Sequence, residues 1–441
     1  MPKISPLRYS LLKRKSHYRK SLHSPFPACV IYLVLGNDFR GETVVTVDFD
    51  RLRKERVEKT RNVIRQLNLD AFIATTFENV RYVTDRRPFF VIGWMPNSIA
   101  VLPKDGEPLY LHPDEFVAQG PAWQNDGRVL KERYGIDHLQ VWPAPIARDI
   151  FGKWLTRTLE KLGITRGRIG LDMAPWQWYD EFKKRLPDAT IVDAEEAILF
   201  ERALKTQDEV ALIKKACRVA SKGVDAGLDA LKPGVREYDV YAAFMGELYR
   251  NGSEGDGFWP FLTSGPCVEG ALYPTNRKLK KGDAAILDMG PIIQGYNGDC
   301  MRTGFAGRPP KKFKDLYKAV YDAMYGVVKA ARPGAMTSDL SEASRKAIKE
   351  SGFDETRFDH GHGIGLSCCE LPCIVKKEAY ENLGKRDIEL KPGMCFSSEP
   401  RLFKYVGPKK FIQAAMEEVI IITETGREVV TSARFVDELL D

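Results

Sequence analysis

The spacing of apolar positions divides the chain near residue 200. Between about 48 and 195 a helix-like stretch, Arg51 to Leu67, alternates with short β-rich runs at Ala71 to Thr75, Ser98 to Leu102, Arg168 to Leu171 and Thr190 to Val192, which predicts an α/β unit. A second unit opens at Thr206. Thr-Gln-Asp-Glu has the form of a capping box, and Leu212, Ile213, Ala216, Cys217, Ala220 and Val224 follow it at helical spacing. The expected organisation is an extension over 1–47, one domain over 48–200 and a second over 201–441. A chain of 441 residues is long enough to outgrow a single core.

The C-terminal region repeats its own pattern. One predicted helix runs to Lys232-Pro233-Gly234 and is followed by another from Glu237 to Asn251; a third runs from Lys312 to Arg332-Pro333-Gly334 and is followed by one from Ser338 to Ser351. A β-like segment of one shape follows each pair, Leu279-Lys-Lys-Gly282 leading to Asp288 and Leu390-Lys-Pro-Gly393 leading to Glu399, with the acid nine residues after Leu and six after Gly in both. A further β-rich stretch then carries another acid, Asp299 in the first copy and Glu417 in the second. The order predicts two related halves about a pseudo-twofold, with four carboxylates converging on the inner face of a sheet.

Charge and cysteine usage narrow the picture. Residues 1 to 37 hold seven basic side chains and no acid, which leaves 60 Lys and Arg against 60 Asp and Glu in the remainder, so the net charge of +7 belongs to the tail. A neutral body argues against nucleic-acid binding, and no apolar run reaches the 18 residues of a membrane span. The tail, with the short apolar run Phe26 to Leu35, has the outline of a signal peptide but no clear cleavage site; a disordered extension or an early start of translation is the alternative. Eight cysteines without framework spacing predict reduced thiols in a cytoplasmic protein. Cys368, Cys369 and Cys373 lack a second pair to complete a zinc site and read as small buried hydrophobes.

Four carboxylates brought together in a protein interior are prohibitively costly unless cations neutralise them. The histidines of this half, His360 and His362, lie in Asp359-His-Gly-His-Gly-Ile-Gly365, where closely spaced glycines allow tight backbone approach. An imidazole among oxygen ligands suits Mn²⁺, Co²⁺, Fe²⁺ or Zn²⁺ rather than Ca²⁺. Glu418, next to Glu417 on the opposite strand face, is expected to be solvated or to support a ligand from outside.

From about residue 50 to 430 these features resemble the creatinase, aminopeptidase P and prolidase family of pita-bread metalloenzymes. Arg202-Ala-Leu-Lys205 with Asp208-Glu209 resembles its interdomain linker; Leu287-Asp288-Met-Gly290, Gly298-Asp299, Gly361-His362-Gly-Ile-Gly365, Ser398-Glu399-Pro400 and Glu417-Glu418 with Thr423 resemble its five ligand motifs in order. The resemblance implies an α/β creatinase-like N-terminal domain, and an α+β C-terminal pita-bread domain with internal duplication. It also implies two divalent transition-metal ions, Mn favoured, and commonly a homodimer. Asp288, Asp299 and Glu417 are then ligands of one ion, and Asp299, His362, Glu399 and Glu417 of the other. Such a pair activates water and polarises a scissile carbonyl, and Glu399 is the expected proton shuttle. The implied activity is hydrolysis of a C–N bond, as in Xaa-Pro peptides or a small amide.

The sequence also departs from the family pattern. A substrate-facing histidine is absent from Gly270-Ala-Leu-Tyr-Pro274, the histidine expected before Glu370 is Cys369, and the arginine expected two residues before the last ligand is Ala415. Cys369 and Tyr296 become candidate catalytic groups, with Tyr273 a further hydrogen-bond donor. The departures admit a diverged member, a creatinase-like amidinohydrolase or a lyase on a small substrate. From another class comes a binding module without catalysis, against which all five retained ligands speak.

Overall fold

The computed structural model describes residues 46–87, 98–111, 144–174, 176–258, 261–265, 273–353, 360–407 and 410–441. The predicted signal or disordered tail, Gly270 to Leu272 and Asp359 fall outside them.

The N-terminal elements are α1 (Phe49–Gln66), β1 (Ala71–Ala74), α2 (Phe77–Thr84), β2 (Ile99–Pro103), β3 (Leu109–Leu111), α3 (Ala144–Lys161), β4 (Arg168–Leu171), α4 (Trp176–Arg185), β5 (Thr190–Asp193) and α5 (Glu195–Ala203). The strands form one mixed sheet in the order β3-β2-β1-β4-β5, with β4 parallel to both β1 and β5 and β2 antiparallel to β1. The near-continuous apolar runs Ala71-Phe-Ile-Ala and Ile99-Ala-Val-Leu are buried along their whole length, as strands covered on both faces must be.

The C-terminal elements are α6 (Gln207–Ala230), α7 (Glu237–Arg250), β6 (Phe261–Ser264), β7 (Ala284–Asp288), β8 (Ile292–Ile293), β9 (Tyr296–Asn297), β10 (Met301–Phe305), α8 (Lys314–Ala330), α9 (Thr337–Glu350), α10 (Lys377–Asn382), β11 (Cys395–Ser398), β12 (Arg401–Gly407), β13 (Lys410–Ala415), β14 (Glu418–Ile422) and β15 (Arg427–Val429). The predicted capping box starts α6: the Thr206 hydroxyl accepts from Glu209 N, and Thr206 N donates to the Glu209 carboxylate at 2.8 Å. Among the described residues no helix is long and apolar enough to cross a membrane.

The duplication read from the sequence is visible bond for bond. Gly234 N donates to Leu279 O at 2.8 Å and Gly334 N to Leu390 O at 2.9 Å. Leu279 N donates to Val235 O, and Leu390 N to Ala335 O, both at 2.8 Å. Gly282 N reaches Ala306 O, and Gly393 N reaches Ile422 O, each at 2.9 Å. These four glycines all have φ between 79° and 89°, a left-handed conformation that a side chain would strain. Each half thus folds a helix pair onto an antiparallel strand pair, β7 with β10 and β11 with β14.

One expectation needs correction. The carboxylates do not line the face of a continuous sheet. β10-β7-β6 and β11-β14-β15 are separate sheets, joined where Glu417 N donates to Met301 O at 3.0 Å and Ala415 N to the Thr303 hydroxyl at 2.8 Å. The acids sit at or just beyond strand ends, where ladder pairing stops and side chains of both halves can meet.

The N-terminal elements are held against this frame by ion pairs that run from the surface to the interior. Arg51 pairs with Asp208 at 2.7 Å and Arg81 with Glu254 at 2.6 Å. Deeper, both Arg202 and Lys205 bind the Glu370 carboxylate, Lys205 at 2.6 Å, with all three side chains at most 4% exposed. Arg202 also donates to Asn79 at 3.0 Å. Removing one partner of a buried ion pair typically costs about 3–5 kcal/mol. Glu370→Gln is therefore expected to lower stability by about that amount, read as a drop in the urea midpoint; an unchanged midpoint would contradict the proposed weight of this contact.

Candidate metal centre

Close backbone contacts set the spacing of the acids. Asp288 ends β7, paired with Met301 on one side and Phe261 on the other. A Cβ on Gly290 would stand 1.5 Å from Gly298 O, so only glycine lets the turn after Asp288 lie against the segment that carries Asp299. Asn297 N donates to Gly365 O at 2.7 Å, and its side-chain amide to Leu366 O at 2.9 Å, tying that segment to the histidine loop. The loop zips onto β11: Ser397 N donates to His362 O at 2.7 Å and Glu399 N to His360 O at 3.0 Å. A Cβ on Gly365 would meet the Glu370 carboxylate at 2.1 Å.

These contacts bring the predicted residues together. His362 Nε2 lies 3.4 Å from Glu399 Oε1 and 3.8 Å from Asp299 Oδ2. Asp299, His362 and Glu417 each offer a ligand atom within 4.8 Å of the others. Asp288 is brought to the same end by its pairing with Met301, two residues after Asp299. The two loop histidines are separated by function: His360 is buried with Nδ1 3.0 Å from the Ser344 hydroxyl, whereas His362 faces the acids. His362 Nδ1 is 3.1 Å from Gly363 O. A carbonyl only accepts, so Nδ1 carries a hydrogen and Nε2 is the ring atom turned toward the carboxylates, the orientation of a metal-binding histidine.

Burial, with the charges of Asp299 and Glu399, pushes the Asp288 carboxyl well above the ordinary range. Burial and the Asp299 charge do the same to Glu417, and burial raises Asp299. For His362, burial disfavours charge, but the Cys369 thiol and the Glu399 and Asp299 carboxylates outweigh it and raise the ring well above its usual value. Both Glu417 oxygens and Asp299 Oδ1 are buried without a hydrogen-bond partner. Unpaired buried oxygens of this kind are what a cation satisfies. The donor set, carboxylates with one imidazole, fits divalent transition ions.

Other candidates separate from this group. Tyr296 is fully buried and its hydroxyl donates to Glu209 at 2.9 Å; it braces the start of α6 rather than facing the carboxylates, which corrects its assignment as a catalytic group. Tyr273 is exposed. Glu418 is not solvated: it is buried and accepts from Arg302 at 2.7 Å and from the Thr431 hydroxyl. Arg302 also binds the Glu417 carbonyl, so Glu418 supports the Glu417 backbone through a cation.

The cysteines depart from the expectation of inert buried filler. Cys368 Sγ is 3.4 Å from Asp299 Oδ2, and Cys369 is exposed beside His362. Hydrogen bonds from Cys368 and then His362 lower the Cys369 thiol to about 4. Sequence reasoning also passed over Arg401. It stands directly across from Ala415 in the β12–β13 hairpin, and its guanidinium lies 4.9 Å over the Phe261 ring. The strand register alone could have revealed it, and the register depends on a hairpin that the residue pattern did not mark.

Comparison with known proteins identifies both parts of the chain. Residues 211–424 match the model of metallopeptidase family M24, and residues 56–203 that of the creatinase/prolidase N-terminal domain. An Xaa-Pro dipeptidase of Pyrococcus horikoshii is 29% identical over 60% of this chain and 72% of its own length. A creatinase of a Bacillus species is 26% identical over 90% of this chain and 94% of its own. The structure of a dipeptidase from Pyrococcus horikoshii OT3 superposes with a TM-score of 0.69 at 25% identity, covering 86% of this chain and 98% of that one. A creatinase/prolidase N-terminal domain followed by an M24 domain with its acids and histidine gathered at one place makes this chain an enzyme of the M24 metallopeptidase family, of the prolidase and aminopeptidase P type.

Proposed function

We propose that Asp288, Asp299, His362, Glu399 and Glu417 hold two divalent transition-metal ions and that the site hydrolyses the C–N bond of an Xaa-Pro dipeptide or a closely similar small amide. The observation that carries the reading is the set of buried, unpartnered Asp299 and Glu417 oxygens beside the His362 ring. Asp288, Asp299 and Glu417 would hold one ion, and Asp299, His362, Glu399 and Glu417 the other. The ions, when bound, supply an activated water and polarise the scissile carbonyl. Glu399 is the more open acid, its side chain 24% exposed, and can take a proton from the attacking water and pass it to the leaving nitrogen.

Substrate orientation falls to Arg401 in this reading. Residues paired across two strands project to the same face, so Arg401 puts a guanidinium on the face that residue 415 occupies. Ala415 itself packs with Ile286, Met301 and Phe261. The cation missing at 415 is thus supplied from the next strand, suited to a substrate carboxylate. The relatives named as dipeptidases favour a peptide, and the loss of the two substrate-side histidines favours a narrow or altered substrate range. We extend the proposal to a homodimer in a cytoplasmic setting, in keeping with the six free cysteines among the described residues.

Elemental analysis of the purified enzyme is expected to find about two divalent ions per chain, and Asp299→Ala to lose most of both; a full complement in the variant would refute the assignment. Arg401→Ala is expected to raise KM for Xaa-Pro dipeptides while kcat changes less, since it binds rather than reacts; an unchanged KM would remove Arg401 from the substrate site. The acids give a pH dependence of definite sign. Asp288, Asp299 and Glu417 have folded pKa values above their unfolded ones, so their contribution without ions is intact below the unfolded carboxylate pKa of about 4 and is lost as pH rises through the folded values. Bound cations reverse the loss. The drop in Tm caused by a chelator is therefore expected to be larger at about pH 8 than at about pH 5; an equal or smaller drop at the higher pH would contradict the scheme.

A further inference from the structure

His362, Cys368 and Cys369 form a second triad whose ligand atoms lie within 4.8 Å of one another. It shares His362 with the carboxylate group and touches that group again where Cys368 Sγ meets Asp299 Oδ2 at 3.4 Å. The two sets are therefore contiguous. We infer that Cys369, with Cys368 behind it, is a sulfur ligand of the ion on the His362 side, so that this metal centre is a mixed oxygen, nitrogen and sulfur site. The inference rests on the two-ion reading above and adds to it a ligand type that the carboxylate motifs do not contain.

The local build favours a fixed donor over a loose thiol. Gly363 and Glu370 exchange two backbone hydrogen bonds, at 2.9 and 3.0 Å. Between them Gly365 N donates to Ser367 O at 3.0 Å, and the Ser367 hydroxyl to Cys369 O at 3.2 Å. The residue after Cys369 is Glu370, whose carboxylate is clamped by Arg202 and Lys205. The cysteine pair is thus anchored immediately on its C-terminal side by buried ion pairs. Cys369 is exposed and Cys368 half-buried.

Sulfur changes which ion is retained. Thiolate is a soft ligand that selects zinc and other thiophilic ions, whereas manganese prefers carboxylate, carbonyl and water. A carboxylate cluster alone leaves manganese a suitable occupant; a thiolate beside His362 shifts the preference toward zinc, cobalt or cadmium. No covalent or redox step is involved. The thiol proton is released to solvent as the metal–sulfur bond forms.

The test uses the full chain, stripped and reloaded with Co²⁺ alone, with cobalt content and the absorption spectrum recorded together. The wild type is expected to bind cobalt and to show a near-ultraviolet sulfur-to-cobalt charge-transfer band. Cys369→Ser is expected to keep its cobalt and lose most of that band, and the Cys368→Ser/Cys369→Ser double variant to lose the rest. The preference for Cd²⁺ over Mn²⁺ is expected to fall at least about tenfold in the double variant, since even outer-sphere partners of ligands are worth about 10–100-fold in affinity. Cobalt bound in the wild type without the band, a band that survives in the double variant, or an unchanged ion preference would each overturn the sulfur ligand and leave the two-ion reading standing. Failure of the wild type to bind cobalt would overturn both.

Discussion

Like charge confined in a protein interior is the constraint around which this molecule is organised. Asp288, Asp299, Glu399 and Glu417 repel one another, and burial removes the water that would screen them. The His362 ring and the Cys368 thiol offset only part of this repulsion, so the backbone must hold the acids in place. It does so by making the acids the terminal residues of hydrogen-bonded frames: two antiparallel strand pairs end where the acids begin, and the Glu417 to Met301 backbone contact joins the pairs. The glycine contact between 290 and 298 and the zipping of the His362 loop onto β11 remove the remaining freedom. Preorganisation of this kind fixes the four carboxylates and His362 relative to one another.

The N-terminal elements are tied to this arrangement at the junction before α6. Arg202 and Lys205 stand at the junction before α6, yet their carboxylate partner is Glu370, next to Cys369 and bridged to Gly363. Tyr296 in turn binds Glu209 at the head of α6 and lies near Arg56 from α1. Buried polar groups in such a network cost heavily if left unmatched, so the junction and the histidine loop adopt their positions jointly. A substitution at Arg202 or Lys205 can therefore disturb the histidine loop without touching it.

Much of this was legible in the chain. The recurrence of Leu, Gly and acid at fixed offsets revealed the duplicated frame, because backbone turns with positive φ demand glycine at set places and the strand that follows has a set length. The capping box at Thr206 was equally plain, being a local contact between residues three apart. What escaped were contacts made by folding distant segments together. Tyr296 lies between metal-ligand motifs in sequence, but strand alternation and the packing of α6 turn it toward Glu209. Alternation left Glu418 either solvated or supporting a ligand from outside, and only the contact with Arg302 from the other half decides for the second. Cys368 and Arg401 come near the carboxylates only through a loop fold and a hairpin register, neither of which composition encodes.

The paired turns that define the two halves are closed almost wholly by main-chain groups: glycine amides, leucine amides and the carbonyls facing them. Where one half starts its second helix with Arg236 the other uses Met336, while an aspartate three residues on receives the backbone amide in both. A scaffold secured by atoms common to every amino acid leaves its side chains free to drift. Descendants of such a doubled ancestor can exchange the groups that meet a substrate, one half independently of the other, while inheriting an unaltered cradle for charge.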